Sequence, residues 1–426
     1  MMLPLGLGIL LLALFGVPLF IVIGSLTLLF YKSSGIAPAG MFIELYSIAT
    51  FPTLLAIPLF TFAGYLLAES NSPKRIIKLT SALFGWMPGG LAVVSLCACA
   101  FFTAFSGASG VTIIALGGLL FPMLLKDHYK EEFSLGLLTT SGSLGLLFPP
   151  SLPIILYAMI AGTSLDAMFL AGILPGFILL LLLSSFSVYK NKTVRQNRTS
   201  FSLQNILLAL KSAPWEIPIP FIIIIGIYGG FITATEASAI IAVYVFIIEV
   251  FIYRDLSLTR EVPRIMRESM VLVGSILVIM GLALGFTGYL TDESIPQKIL
   301  LFMQQYLTGK IMFLIVLNIF LLIVGCLMDI FSAIFVVVPL ILPIAAQFGV
   351  NPVHLGIIFL MNLEIGYSTP PVGLNLFIAS YRFDKSVIQL YRAAVPFIII
   401  MLIALLIITY IPQLALLPVH FFGAGK

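Results

Sequence analysis

The sequence predicts an all-α integral membrane protein folded as two inverted repeats, each with a re-entrant hairpin and a broken helix. Three observations carry that expectation. Of the 426 residues, 61% are hydrophobic and only 9% are charged. The basic residues fall into a few loops rather than being spread along the chain. Glycines and prolines of the first half recur in the second at nearly fixed spacing.

A soluble chain of this length has more surface than so few charges can cover. Mean hydropathy is +1.19, and many apolar runs approach or exceed the roughly 18 residues needed to span about 30 Å of hydrocarbon. In order they are 5–30, 52–69, 88–105, 111–125, 134–161, 168–189, 217–231, 235–253, 269–290, 311–328, 331–345, 355–379 and 394–417. The first is too long for a cleavable signal and has no basic n-region. Pro38 to Thr50 is amphipathic and is expected to lie along the interface. Cys97, Cys99 and Cys326 lie in apolar stretches and read as small buried hydrophobes. His128, His354 and His420 lack metal-ligand spacing and are expected at the surface.

Charge decides which runs cross. If 88–125 and 311–345 each enter and leave on one side, the loops 74–78, 126–130, 190–211, 254–267 and 382–392 share a face. They hold 3, 2, 5, 4 and 3 Lys or Arg residues, 17 of the chain's 21. Only Lys32, Lys298, Lys310 and Lys426 fall on the other face. Cytoplasmic loops carry such an excess. The expectation is nine full crossings, two hairpins, a cytoplasmic N-terminus and an outside C-terminus.

The repeat follows. Gly64-Tyr65-Leu66 is answered by Gly288-Tyr289-Leu290, and Glu69 by Glu293, at an offset of 224. Pro122 is answered by Pro343, Pro149-Pro150 by Pro370-Pro371, and Pro175 by Pro396, at an offset of 221. A shared bias toward Leu and Ile does not place prolines so consistently. The first repeat is therefore drawn at 1–190, with its hairpin at 88–125 and broken helix at 134–161. A basic cytoplasmic loop and connecting helix follow at 191–234. The second repeat is 235–417, with hairpin 311–345 and broken helix 355–379, and 418–426 is a tail. The unmatched crossing at 217–231 inverts the second repeat. That architecture is typical of secondary transporters, with the binding site near the midplane.

Each half has two breaks. The hairpin tips are 106–110 and 328–332. The interrupted helices run from Ser141-Gly142-Ser143-Leu144-Gly145 to Pro149-Pro150, and from Gly366 to Pro371. An unpaired carbonyl within the bilayer costs several kcal/mol, so a break there normally lines a cavity or holds an ion. Freed carbonyls and hydroxyls are the hard ligands a sodium ion needs, while half-helix N-termini favour an anionic group. Asp329, in a tip flanked by apolar runs, marks an ion path, or else caps a helix. Glu236 fits an N-terminal cap. Glu364 reads as a site residue or, slightly better, a hydrated helix-end residue. Asn362 and Asn375 flank the second break as further oxygen donors.

Other classes fit less well. Gly107-Ala108-Ser109-Gly110 resembles the nucleophile motif of rhomboid proteases, but that chemistry needs a histidine on another span. There is no GxxxxGK[ST] run for an ATP-driven pump. The alternatives kept open are an ion channel and a secondary carboxylate transporter working without a binding protein.

The runs Phe105-Ser106-Gly107-Ala108-Ser109, Gly142 to Ser151, and Asn351-Pro352-Val353-His354 through Thr369-Pro370-Pro371-Val372-Gly373 closely resemble the large membrane subunit of TRAP transporters, the DctM or SiaM type of the ion transporter superfamily. The resemblance covers essentially the whole chain. It implies a multi-pass bacterial inner-membrane protein whose C-terminus is periplasmic, with no enzymatic activity and no cofactor beyond Na+ as coupling ion. It also implies import of an organic acid, such as a C4-dicarboxylate or sialic acid, delivered by a periplasmic binding protein. A small membrane subunit of about four helices supports the large one in the bilayer, and no nucleic acid is involved. The transport part is expected to move like an elevator against a scaffold. Carried over, one sodium set is Ser106, Gly107 and Ser109 with Gly142, Ser143 and Gly145. The other is Asp329 and Ser332 with Gly366, Thr369 and Pro370. The substrate would lie between them, against Ala108, Pro149, Pro150, Pro371 and Asn375. Position 108 departs from the family pattern, which often has serine there.

Overall fold

The computed structural model describes residues 8–9, 17–35, 37–47, 52–192, 202–229, 231–307 and 309–422, and among them all regular structure is helical. Much of the 5–30 run, Thr50, the basic stretch 193–201 and residues 423–426 lie outside the described residues. Seven described helices are long and apolar enough to cross a bilayer, and one bent pair makes an eighth. Several shorter apolar helices accompany them, among them Ala56–Glu69 and Pro352–Gly366.

Helices Gly90–Ser106 and Ser109–Lys126 meet at the two-residue tip Gly107-Ala108. Glu131–Ser141 then runs into a 3-10 turn, Leu144–Leu147, before Leu152–Ala161 resumes at a bend of 45°. In the second half, Lys310–Leu327 and Ile330–Gln347 meet at Met328-Asp329. Pro352–Gly366 breaks before Leu374–Phe383. The proline offset recurs in the element boundaries. Adding 221 to Ser109–Lys126 gives 330–347, the observed Ile330–Gln347. Adding it to Leu152–Ala161 gives 373–382, one residue from the observed Leu374–Phe383.

Packing is crosswise. The second arm of the first hairpin lies on Leu374–Phe383, and the second arm of the second hairpin lies on Leu152–Ala161. Each half thus covers a broken helix of the other. Around this centre, Ala56–Glu69 packs on Ala234–Ile247 and Glu261–Asp292, while Leu19–Ser33 and Ala39–Ser47 lie on Glu261–Asp292.

The chain marks where helices start. Ser164 accepts from the Ala167 amide, and Ser386 from the Gln389 amide. Thr233 and Glu236 form a reciprocal capping box, so Glu236 is a cap. Asn351 accepts from the Val353 and His354 amides, with Pro352 pre-set at the first helical position.

Four sequence expectations are corrected. The 269–290 run is the centre of a 32-residue helix, Glu261–Asp292, whose charged first turns continue the same rod. Helix Gln413–Phe421 passes through the boundary drawn at 417. His354 is 1% exposed, not a surface residue, and its Nε2 meets the Ile408 carbonyl at 2.9 Å. Glu364 is fully buried, not hydrated at a helix end.

The loop cation Arg75, on the amphipathic helix Ser72–Phe84, is held by three carboxylates. Its guanidinium meets Glu216, Glu249 at 2.8 Å and Asp255 at 2.6 Å, and lies 3.7 Å from the centre of the Tyr253 ring. The cluster ties the first half to the connector and the second half. Burial alone would raise the Asp255 carboxyl, but hydrogen bonds from Asn71 and Arg75 hold it below its usual range. A depressed carboxylate stabilises the fold at neutral pH and loses that contribution as pH falls through its lowered value.

Arg75→Gln is therefore expected to lower unfolding stability by about 3–5 kcal/mol, because it strands buried carboxylates. Arg264→Gln, at the Glu69 pair where the arginine is 43% exposed, should cost below ~1 kcal/mol. Thermal unfolding of the purified protein in one detergent separates the two. Equal losses contradict the account.

Candidate functional site

In each half a hairpin closes on the adjacent break through a glycine. A Cβ on Gly145 would fall 2.3 Å from the Ala100 carbonyl oxygen and the Ala104 amide nitrogen. A Cβ on Gly366 would fall 2.3 Å from the Gly325 carbonyl carbon. The two contacts are one contact repeated, since 145 plus 221 is 366 and 104 plus 221 is 325. Only glycine lets the backbones approach so closely.

The first break is then tied by side chains. Thr103 Oγ1 donates to the Gly142 carbonyl at 2.7 Å. With that proton committed, Thr112 Oγ1 must donate to Thr103, also at 2.7 Å. Gly107 takes φ +63° at the tip, where a Cβ would also strike the Leu152 side chain at 2.6 Å. Ser106 (1%), Ser109 (3%) and Ser143 (0%) are all buried. A Cβ on Gly142 would lie 3.3 Å from the Ser109 carbonyl oxygen. The structure thus gathers Ser106, Gly107, Ser109, Gly142, Ser143 and Gly145 around one tip and one break. Thr103 and Thr112 are the members that sequence reasoning missed, since a threonine in a transmembrane helix ordinarily bonds its own preceding turn.

The second break is tied by the backbone. The Val372 and Gly373 amides donate to the Cys326 carbonyl at 3.2 and 3.3 Å. The Ile330 amide donates to Tyr367 Oη at 2.6 Å. Asp329 caps the second arm, accepting from the Phe331 and Ser332 amides at 3.0 and 3.1 Å and from the Ser332 hydroxyl. Thr369 Oγ1 donates to the Ile365 carbonyl at 2.8 Å, which leaves its lone pairs. Asp329, Ser332, Gly366 and Thr369 are therefore gathered, and Tyr367, Gly325 and the Cys326 carbonyl join them. Position 108 plus 221 is 329. Ala108 thus stands where the second half has a capping carboxylate, and no side chain caps the helix Ser109–Lys126.

The substrate candidates are less uniform. Asn375 is fully buried, and its backbone N–H donates to the Tyr367 carbonyl at 2.9 Å. Pro149 and Pro370 each begin a cis Pro-Pro bond, with Pro150 and Pro371. Pro150 is buried, whereas Pro370 and Pro371 are exposed. Pro149 lines an apolar cavity of about 430 Å³ between the first arm of the first hairpin and the connecting helix, with Phe101, Phe105, Phe177 and Phe221. Ala108 is half-buried at its tip. The prolines therefore do not all face one chamber.

Gly366→Ala is expected to lower stability by about 1–3 kcal/mol through overpacking against Gly325. At Gly274 a Cβ would meet nothing within 4 Å, so Gly274→Ala should be neutral or slightly stabilising. Unfolding of both variants under one condition tests this. A tolerated Gly366→Ala contradicts the close approach.

Residues 7–414 match the family described as the DctM component of the tripartite ATP-independent periplasmic transporter. The C4-dicarboxylate TRAP transporter large permease protein DctM of Pseudomonas aeruginosa is 36% identical over 394 residues, 92% of each chain. The isethionate TRAP transporter permease protein DctMQ of Oleidesulfovibrio alaskensis is 35% identical over 96% of this chain and 64% of its own length. The ectoine/5-hydroxyectoine large permease protein UehC of Ruegeria pomeroyi is 32% identical over 85% of each. Among solved structures, the Alcanivorax borkumensis YdaH transporter superposes with a TM-score of 0.59 over 88% of this chain and 87% of its own, at 11% identity. At that identity the likeness shows the fold alone.

Proposed function

The chain belongs to the DctM family and is the multi-pass large permease subunit of a tripartite ATP-independent periplasmic transporter, and from that premise we propose that it imports an organic acid on a sodium gradient. The observation that carries this reading is the paired closure of a hairpin tip on a broken helix, built twice with the same glycine contact. Breaks of this kind supply carbonyl and hydroxyl oxygens, the donor set a sodium ion takes in place of water. Ser106, Gly107, Ser109, Gly142, Ser143 and Gly145 form one set. Asp329, Ser332, Gly366, Thr369 and Pro370 form the other.

The substrate lies between the tips. Helix Ser109–Lys126 carries no side-chain cap, so the amides of its first turn face an anionic group without competition from a carboxylate. Asp329 occupies the corresponding position of the second half, where negative charge favours the cation. This asymmetry supports an acid headgroup nearer the first tip, beside Ala108. Relatives named for C4-dicarboxylate, isethionate and ectoine support a small acid-bearing substrate. A periplasmic binding protein delivers it, and a small membrane subunit accompanies the permease in the inner membrane.

The two halves enter the bilayer from opposite faces, with the loops of 17 basic residues in the cytoplasm. The hairpins and broken helices form the moving part, and Ala56–Glu69, Ala234–Ile247 and Glu261–Asp292 the scaffold.

Uptake into proteoliposomes holding both membrane subunits, with the binding protein outside, tests the coupling. Candidate acids such as C4-dicarboxylates and sialic acid serve as labelled substrates. An inward sodium gradient should drive accumulation that potassium does not. Equal uptake with the two ions defeats the reading. Asp329→Asn keeps a good N-cap residue, so it isolates the charge. It should raise the sodium concentration for half-maximal uptake at least tenfold, and an unchanged sodium dependence removes Asp329 from the ion site.

A further inference from the structure

One wall of the apolar cavity beside Pro149, about 430 Å³ in volume, is a single helix stripe. Cys97, Ala100, Phe101, Ala104 and Phe105 recur at the spacing of one face of Gly90–Ser106. That stripe runs about 12 Å along the helix and ends beside the tip residue Ser106. Phe221 and Ile224 of the connecting helix and Phe177 of Leu165–Asn191 form other walls. All three are also exposed on the outer face. The cavity is thus a slot that opens sideways, where a multi-pass protein meets hydrocarbon.

Among the described lining residues only Thr80 and Glu216 carry a side-chain oxygen, and both are engaged. Thr80 Oγ1 donates to the Ile76 carbonyl at 2.8 Å. One Glu216 oxygen accepts from Arg75 Nε, and the other from the Tyr253 hydroxyl at 3.0 Å. A buried water needs several polar partners, and these side chains offer none. A polar solute would lose its hydration with nothing in return. An empty slot would leave the atoms that line it without contacts on one side. A hydrocarbon chain meets all three conditions, and the bilayer presents one at the mouth.

Charge marks the end from which the chain enters. Glu216 is paired with Arg75, and exposed Trp215 lies next to it in the chain. Tryptophan is enriched where membrane meets water. The amphipathic helix Ser72–Phe84 supplies Thr80 to the lining, and Leu203–Ser212 packs on it. These two helices expose Lys78 and Lys211. A negative phosphate at this level meets positive charge, while its acyl chain runs inward toward Phe105.

We propose that this slot binds one acyl chain of an anionic phospholipid of the surrounding bilayer, lodged between the first hairpin and the connecting helix. The chain covers Pro149 from one side, so hydrocarbon meets the first Pro-Pro pair there. The site does not depend on which ion drives transport.

Photolabelling of the complex of large and small membrane subunits in lipid nanodiscs tests it. The probe is phosphatidylglycerol with a diazirine near the end of one acyl chain, diluted in phosphatidylethanolamine. Mass spectrometry of the unaltered complex should place label within 97–105. That label should include Phe105, which is 5% exposed and out of reach of lipid lying on the outer face. Label confined to the rim residues Phe177, Phe221 and Ile224 overturns the proposal. So does an unlabelled slot, the result expected where the small subunit's own side chains fill it. Excess phosphatidylglycerol without the diazirine should displace the label within 97–105 more readily than phosphatidylcholine does, and equal displacement overturns the anionic headgroup. Ile224→Trp fills the mouth and should lose most of the label within 97–105 while keeping label elsewhere in the chain. Unchanged label within 97–105 in that variant overturns the slot. The pattern in the unaltered complex decides even where the variant fails to fold.

Discussion

A backbone carbonyl released inside a bilayer has no water to bond, so a helix can break there only where another part of the chain answers it. Everything distinctive about this fold follows from how those answers are supplied. At the first break Thr103 reaches across to the Gly142 carbonyl. At the second, the Val372 and Gly373 amides reach the Cys326 carbonyl. Both depend on a glycine, Gly145 or Gly366, that lets hairpin and broken helix touch backbone to backbone. The hairpins exist to cover the breaks, and the crosswise packing of their second arms holds the two halves as one body.

The two units share geometry but differ in charge. The first tip has Ala108 where the second has Asp329, and the first break has Ser143 where the second has Glu364. Both differences add a carboxylate to the second half. In a low-dielectric interior a carboxylate is a large local difference, so the two units are electrostatically unequal within a nearly symmetric frame.

Much of this was legible in the residues. Proline spacing located the repeat, and the element boundaries follow the same offset because proline and glycine act on the backbone locally. Glu236 was readable as a cap for the same reason. Burial was harder to read. His354 and Glu364 sit beside turn signals that usually mark water, yet both are covered by packing from distant helices. The Arg75 cluster joins residues 141, 174 and 180 positions apart, and no local pattern announces such pairing. The amphipathic helix Ser72–Phe84 escaped notice because its apolar stripe is short and interrupted by three basic residues.

The central claim is that two copies of one tip-and-break unit face opposite sides of the membrane. Lys126→Cys and Gln347→Cys place a thiol at the same point of each unit, since 126 plus 221 is 347, and both positions are exposed. In a background with Cys97, Cys99 and Cys326 replaced, a membrane-impermeant maleimide reports the face of each. The account predicts that Gln347→Cys reacts in intact cells and Lys126→Cys only in inverted vesicles. Labelling of both from one face would contradict it.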